Sequence, residues 1–177
     1  DKYSPEHQTE LIAHRPLTKL RGVEVFDNYL IALELTAGME EVRVQNLSSN
    51  DVRYIPFEEV TYSLTQGRNF MSDATFFRFN YSSPVTPNCV MDYDFTTGTV
   101  TKRKQTEVPG YHPENYKLER VFVPARDGAA IPMTVIMRKD TVLDGTNPLY
   151  LYGYGSYGMS MSDYFSASRC NLIDRGV

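Results

Sequence analysis

With 177 residues, 41% hydrophobic and 23% charged side chains, the chain has the composition of a soluble globular protein of one large domain or two small ones. A formal net charge of −4 gives no electrostatic case for binding nucleic acid or an anionic membrane surface. No apolar run approaches the length of a membrane span, no signal-peptide pattern opens the sequence, and the distant Cys89 and Cys170 make no disulfide framework. A reducing, cytoplasmic setting is therefore expected.

Residues 21–104 read as short strands at close spacing. Gly22 to Phe26 is a first apolar run, and Asp27-Asn28 turns the chain into the longer β-rich run Tyr29 to Leu35. Thr36-Ala37-Gly38 is a turn, after which Val42 to Leu47 begins with the alternation of a strand buried on one face. Ser48 to Asp51 turns the chain again before Val52 to Ile55. Four strands in sequence are the content of one propeller blade. A second set follows: Val60 to Leu64, Phe77 to Tyr81, Cys89 to Phe95 and Thr99 to Lys104, the last two joined by the hairpin signal Thr96-Thr97-Gly98. The two sets share little identity, so on pattern alone a β-sandwich fits nearly as well as a pair of blades.

From Lys102 to Pro113 the composition shifts to charge, proline and glycine, which is linker chemistry. Lys102-Arg103-Lys104 is expected to coat an exposed strand rather than to contact nucleic acid. Two further strands, Leu118 to Ala125 and Ile131 to Arg138, flank Arg126 to Ala129, with Asp127-Gly128 supplying the turn. Asp144 to Pro148 is a loop and Leu149 to Tyr152 a short buried strand. Ser162 to Arg175 reads as a helix, with Ser162 or Asp163 near its start and Gly176 in the position just past its end. A strand is expected to begin at Val177, which makes the chain read as a piece of a longer protein.

The segment Leu151-Tyr152-Gly153-Tyr154-Gly155-Ser156-Tyr157-Gly158 carries the candidate chemistry. Its glycines permit close backbone approach to a bound group, and three phenols stand among them. A phenol held at the C-terminal edge of a strand can donate to a developing oxyanion, and in α/β-hydrolases one oxyanion donor comes from the loop after the third strand. On spacing alone, a glycine-rich turn with packing tyrosines is the commoner arrangement. Ser156 does not fit the nucleophile elbow, because Tyr154 stands where Gly-x-Ser-x-Gly needs its first glycine. Chain order speaks against it too, since His7, His14 and His112 all precede it. Ser82 and Ser83 precede Asp92, Asp94 and His112 but lie among strands, with no strand-to-helix elbow. His112 reads as a surface histidine, His7 and His14 make no metal site, and Asp127 belongs to its turn. Cys89 and Cys170 are expected to pack as small hydrophobes, and Glu58-Glu59 to solvate a sheet edge.

The word LYGYGSYG (Leu151 to Gly158) resembles the prolyl oligopeptidase family of serine peptidases, and within it the oligopeptidase B branch. Prolyl oligopeptidases proper tend to carry Gly-Phe where this chain has Ser156-Tyr157. The resemblance runs back through Glu107 to Arg120, Ala125 to Lys139 and Tyr81 to Gly98, and more weakly to the N-terminus, so it covers most of the chain. It implies the terminal blades of a seven-bladed β-propeller over residues 1–104, a linker over 105–117, and the N-terminal part of an α/β-hydrolase catalytic domain over 118–177. It also implies hydrolysis of short peptides after Arg or Lys by acyl-enzyme chemistry, with no metal or cofactor. The remainder of the same polypeptide is then needed to complete both domains. In that family the second tyrosine of the Tyr-Gly-Tyr-Gly word donates its hydroxyl to the oxyanion, and it maps onto Tyr154; Tyr152 is expected to pack. The triad serine, aspartate and histidine are expected outside these residues, which alone should be inactive. A proline-specific oligopeptidase and a non-catalytic propeller binding module are the alternatives.

Overall fold

The computed structural model describes Ser4, Glu6 and residues 8–177. Four strands, β1 (Thr18–Val25), β2 (Tyr29–Thr36), β3 (Met39–Asn46) and β4 (Val52–Tyr54), form an antiparallel sheet in sequence order. A second sheet repeats that order with β5 (Ser63–Gln66), β6 (Phe76–Ser82), β7 (Cys89–Asp94) and β8 (Val100–Gln105). A separate hairpin of β9 (Tyr116–Pro124) and β10 (Ala130–Arg138) follows, and helix α1 (Ala167–Ile173) comes last.

Turn chemistry sets the registers. Thr36 pairs with Met39 across Ala37 (φ 48°) and Gly38 (φ 79°), the two left-handed residues that match the twist of a tight hairpin. Gly38 is also a packing requirement. A Cβ there would lie 3.1 Å from both the Arg120 guanidinium and the Pro132 ring, so the β9–β10 hairpin seats closely on this turn. Between β7 and β8 the Asp94 carboxylate accepts from the amides of Thr96 (2.9 Å) and Thr97 (2.7 Å), and Gly98 takes φ 71°.

The two four-stranded sheets share one apolar core. Phe26, Ile31, Val42, Val44 and Ile55 from the first meet Leu64, Phe77, Phe79, Tyr81, Tyr93 and Phe95 from the second. The alternating burial of β6 puts Phe77 and Phe79 at the centre, both fully buried, with rings stacked 5.7 Å apart. Each such ring contributes roughly 1.5–3 kcal/mol relative to exposure.

Polar groups clasp the same junction. A bulge between Leu20 and Gly22 interrupts the β1 register, and Arg21 donates to the buried Glu40 carboxylate at 2.9 Å. Glu40 also accepts the Leu64 amide, tying β3 to β5. Glu59, expected on a solvated edge, instead accepts from the Tyr81 hydroxyl and from Thr86 at 2.7 Å, because Tyr81 is buried and its phenol needs a partner. Burial holds the Glu40 carboxyl above its ordinary value of 4.5, and Asp163 pushes the same way against the Leu64 amide and Arg21. The folded chain thus binds this proton more tightly than the unfolded chain. The stabilisation from that proton is complete below 4.5 and is lost as pH rises through the elevated folded value. Urea midpoints of the unsubstituted protein relative to Glu40→Gln should therefore improve as pH falls through the window just above 4.5. A pH-independent difference there would rule the linkage out.

A smaller cluster joins the hairpin to the helix. Tyr116, Cys170 and Ile173 are buried together, with Val85, Tyr111, Ile136 and Phe165 packed around them. The Tyr116 hydroxyl donates to Asp174 at 2.9 Å, fixing the end of α1.

Three expected elements differ. The strand expected over Val60 to Leu64 runs instead over Ser63–Gln66, the stretch that faces β6 residues Phe79 to Ser82. Leu149 to Tyr152 is not a buried strand: it pairs with no ladder, and Leu149 and Leu151 are 82% and 70% exposed. A strand needs a neighbour's backbone groups, and among the described residues no strand lies beside this segment to supply them. The helix begins at Ala167 rather than near Ser162, because the Ser166 side chain takes the cap by accepting the Arg169 amide. The Asp163 carboxylate is engaged elsewhere, by the Thr61 hydroxyl. Gly176 adopts the expected left-handed conformation, φ 90°, after the helix.

Candidate functional site

The glycine-rich word lies in an extended loop that follows the β9–β10 hairpin. Tyr150 and Tyr152 project to one side, their rings stacked 6.4 Å apart and nearly parallel. Nothing lies within 4 Å of a Cβ built on Gly153 or Gly155, so the backbone around Tyr154 is open to an approaching group. A single 3-10 turn over Ser156–Gly158 closes the loop through the Met159 amide and the Ser156 carbonyl at 3.1 Å. Tyr157 and Gly158 are both left-handed there, with φ 57° and 66°. Tyr154 is half exposed, and among the described residues its hydroxyl has no hydrogen-bond partner. That leaves a phenolic donor available to an incoming oxygen. Tyr152, expected to pack in a buried strand, is 67% exposed and touches Tyr150 instead, for the reason that frees the strand itself.

The other candidate residues have structural duties. Ser156 opens a 3-10 turn rather than an elbow. Ser82 accepts the Phe165 amide at 3.0 Å and donates to the Thr86 carbonyl at 3.1 Å, while Ser83 accepts the amides of Val85 and Thr86. Arg78 grips Asp92 with two hydrogen bonds of 2.7 and 2.8 Å, and Arg103 approaches the same carboxylate at 3.4 Å. His112 pairs with Glu114 at 3.1 Å, His14 is exposed, and His7 lies outside the described residues. Asp127 accepts the Ala129 amide inside its turn. Cys89 and Cys170 are buried, and burial pushes both thiols up, which disfavours the reactive thiolate. Among the described residues no group of three His, Cys, Asp or Glu converges as a metal site, and no helix is long and apolar enough to cross a membrane.

The residues that sequence reasoning missed are those that fasten this region to the two sheets. Lys19 of β1 donates to the Gly158 carbonyl at 3.0 Å, Thr61 bonds Asp163, and the Ser82 hydroxyl holds Phe165. Arg120 of β9 reaches Thr61 at 3.4 Å and the Ala37 carbonyl at 3.2 Å. The first three join residues 139, 102 and 83 positions apart, so no local pattern announces them.

A family model described as prolyl oligopeptidase, N-terminal beta-propeller domain, matches residues 1–106. The chain belongs to the prolyl oligopeptidase family. The two four-stranded sheets are accordingly propeller blades, and the sandwich alternative falls. Among curated relatives, dipeptidyl aminopeptidase BI of Pseudoxanthomonas mexicana is 36% identical over 178 residues, covering 100% of this chain and 24% of that protein. The solved structure of oligopeptidase B from Leishmania major has a TM-score of 0.84 at 30% identity, covering 94% of this chain and 24% of that one. A prolyl endopeptidase structure has a TM-score of 0.85 at 27% identity, covering 98% of this chain and 25% of that one. This chain therefore spans about a quarter of the length of these members of the prolyl oligopeptidase family.

Proposed function

We propose that this chain joins the end of the propeller to the start of the α/β-hydrolase domain of a serine oligopeptidase. Residues 1–104 belong to the propeller, 105–117 are the linker, and 118–177 open the catalytic domain. The observation that carries the reading is the LYGYGSYG loop in a prolyl oligopeptidase-family chain, with Tyr154 presenting an unpartnered hydroxyl. In the mechanism, a serine from the remainder of the polypeptide attacks the scissile carbonyl. A histidine takes its proton and returns it to the leaving amine. The tetrahedral oxyanion accepts from the Tyr154 hydroxyl and a backbone N–H, and this chemistry uses no metal or organic cofactor. The propeller covers the site and admits short peptides, cut after Arg or Lys as the oligopeptidase B-like word favours. The reducing cytoplasm suits the two buried free thiols.

A second reading rests on the relative named dipeptidyl aminopeptidase, which supports release of dipeptides from a free amino terminus. The test is a substrate panel on the full-length parent: N-blocked Arg-Arg and Gly-Pro amides beside the unblocked Arg-Arg amide. The blocked Arg-Arg amide should exceed the blocked Gly-Pro amide by at least about ten-fold in kcat/KM. The reverse order moves the protein to the proline-specific branch, and a requirement for a free amine establishes dipeptide release. No turnover, with no labelling by a serine-reactive phosphonate, leaves the propeller as a binding module.

A further inference from the structure

We propose that Lys19 is a positioning residue for the oxyanion loop: its ammonium, carried by β1 of the propeller, holds the Gly158 carbonyl and so fixes the loop that presents Tyr154. The proposal rests on the oxyanion reading of Tyr154. Between Pro148 and Gly158 the loop has little of its own to hold it. Among the described residues its hydrogen bonds are the closure of the Ser156–Gly158 turn and the one from Lys19. Upstream, Asn147 bonds only within its own loop, to the Val142 carbonyl at 2.6 Å. The first anchor after Tyr154 that reaches another part of the molecule is thus Lys19, four residues on.

The geometry makes that anchor specific. Tyr157 and Gly158 take consecutive left-handed conformations, which set the direction of the Gly158 carbonyl. A Cβ built at Gly158 would stand 3.5 Å from the Lys19 ammonium, so the lysine head lies directly over the side-chain face of this glycine. An ammonium-to-carbonyl bond is charge-assisted and stronger than a neutral one. Just beyond, Asp163 is held by Thr61, which is fully buried, and the Phe165 amide by Ser82. Ser82 belongs to β6 of the second blade and Thr61 to the connection that leads into it, whereas Lys19 belongs to the first. The C-terminal side of the loop is therefore pinned to both blades, and the pin nearest Tyr154 comes from the first.

The test uses the full-length parent and a double-mutant cycle. Lys19→Met keeps the length and apolar stem but removes the donor. It should lower kcat about five-fold with KM and the unfolding midpoint nearly unchanged, and Lys19→Arg should restore most of the loss. In a Tyr154→Phe background Lys19→Met should cost nothing further, because its effect passes through that hydroxyl. If Tyr154→Phe is damaging but Lys19→Met is silent, or its cost adds in full to Tyr154→Phe, the tether is overturned and the oxyanion reading stands. If Tyr154→Phe keeps parental kcat, both fall together.

Discussion

Replacing Tyr154 by phenylalanine in the full-length parent should lower kcat on the order of 10²-fold and change KM much less. Among the described residues the hydroxyl is a donor without a partner, so its removal breaks no bond seen there. The aromatic ring stays, and the residue is already half exposed, so no cavity opens. What is lost appears only when negative charge develops on the carbonyl oxygen, which is why the effect belongs in kcat. A single oxyanion donor is worth on the order of 3 kcal/mol at the transition state. Tyr152→Phe is the internal control, since its ring stacks on Tyr150 and its hydroxyl is assigned no role. Near-parental kcat for Tyr154→Phe, or a larger loss for Tyr152→Phe, would falsify the assignment. Unchanged unfolding midpoints in both variants would exclude a structural cause.

How much of this was legible in the sequence follows from the range of each interaction. The strands of both blades announce themselves because alternation and turn residues are local. Ala37-Gly38 closes the β2–β3 hairpin and Asp94 with Gly98 the β7–β8 hairpin, as their residue types require. The apolar run at Leu149 to Tyr152 misleads, because hydrophobicity says that a segment can be buried but not that a strand runs beside it. The helix start misleads for a related reason. Ser162, Asp163 and Ser166 are all competent caps, and the choice falls to Ser166 once Asp163 is drawn to Thr61 across 102 residues. Tyr154 was singled out through a family word, whereas Lys19 carries no local sign of its contact with Gly158. The Glu59 carboxylate was equally hidden, since it reads as surface charge until Tyr81 brings its hydroxyl to it.

The largest stability effect should come from Phe77→Ala. Phe77 is 0% exposed at the junction of the blades, stacked on Phe79 and met edge-on by Phe26 at 6.4 Å. Removing the ring forfeits its transfer energy and leaves a cavity that close-packed neighbours cannot fill, a cost of about 3–5 kcal/mol. That is a large share of the roughly 5–15 kcal/mol by which a folded domain is stable. Because Phe77 lies where the sheets meet, the loss should weaken the blade-to-blade junction rather than either sheet's internal ladder. Phe77→Leu retains most of the volume and should cost distinctly less than Phe77→Ala. Phe70, 87% exposed, supplies the contrast, and Phe70→Ala should stay within about 0.5 kcal/mol. Urea titration of the three variants reads these differences directly. A Phe77→Ala cost below about 1 kcal/mol, or one no greater than that of Phe70→Ala, would show that the blades are not held together through this aromatic centre.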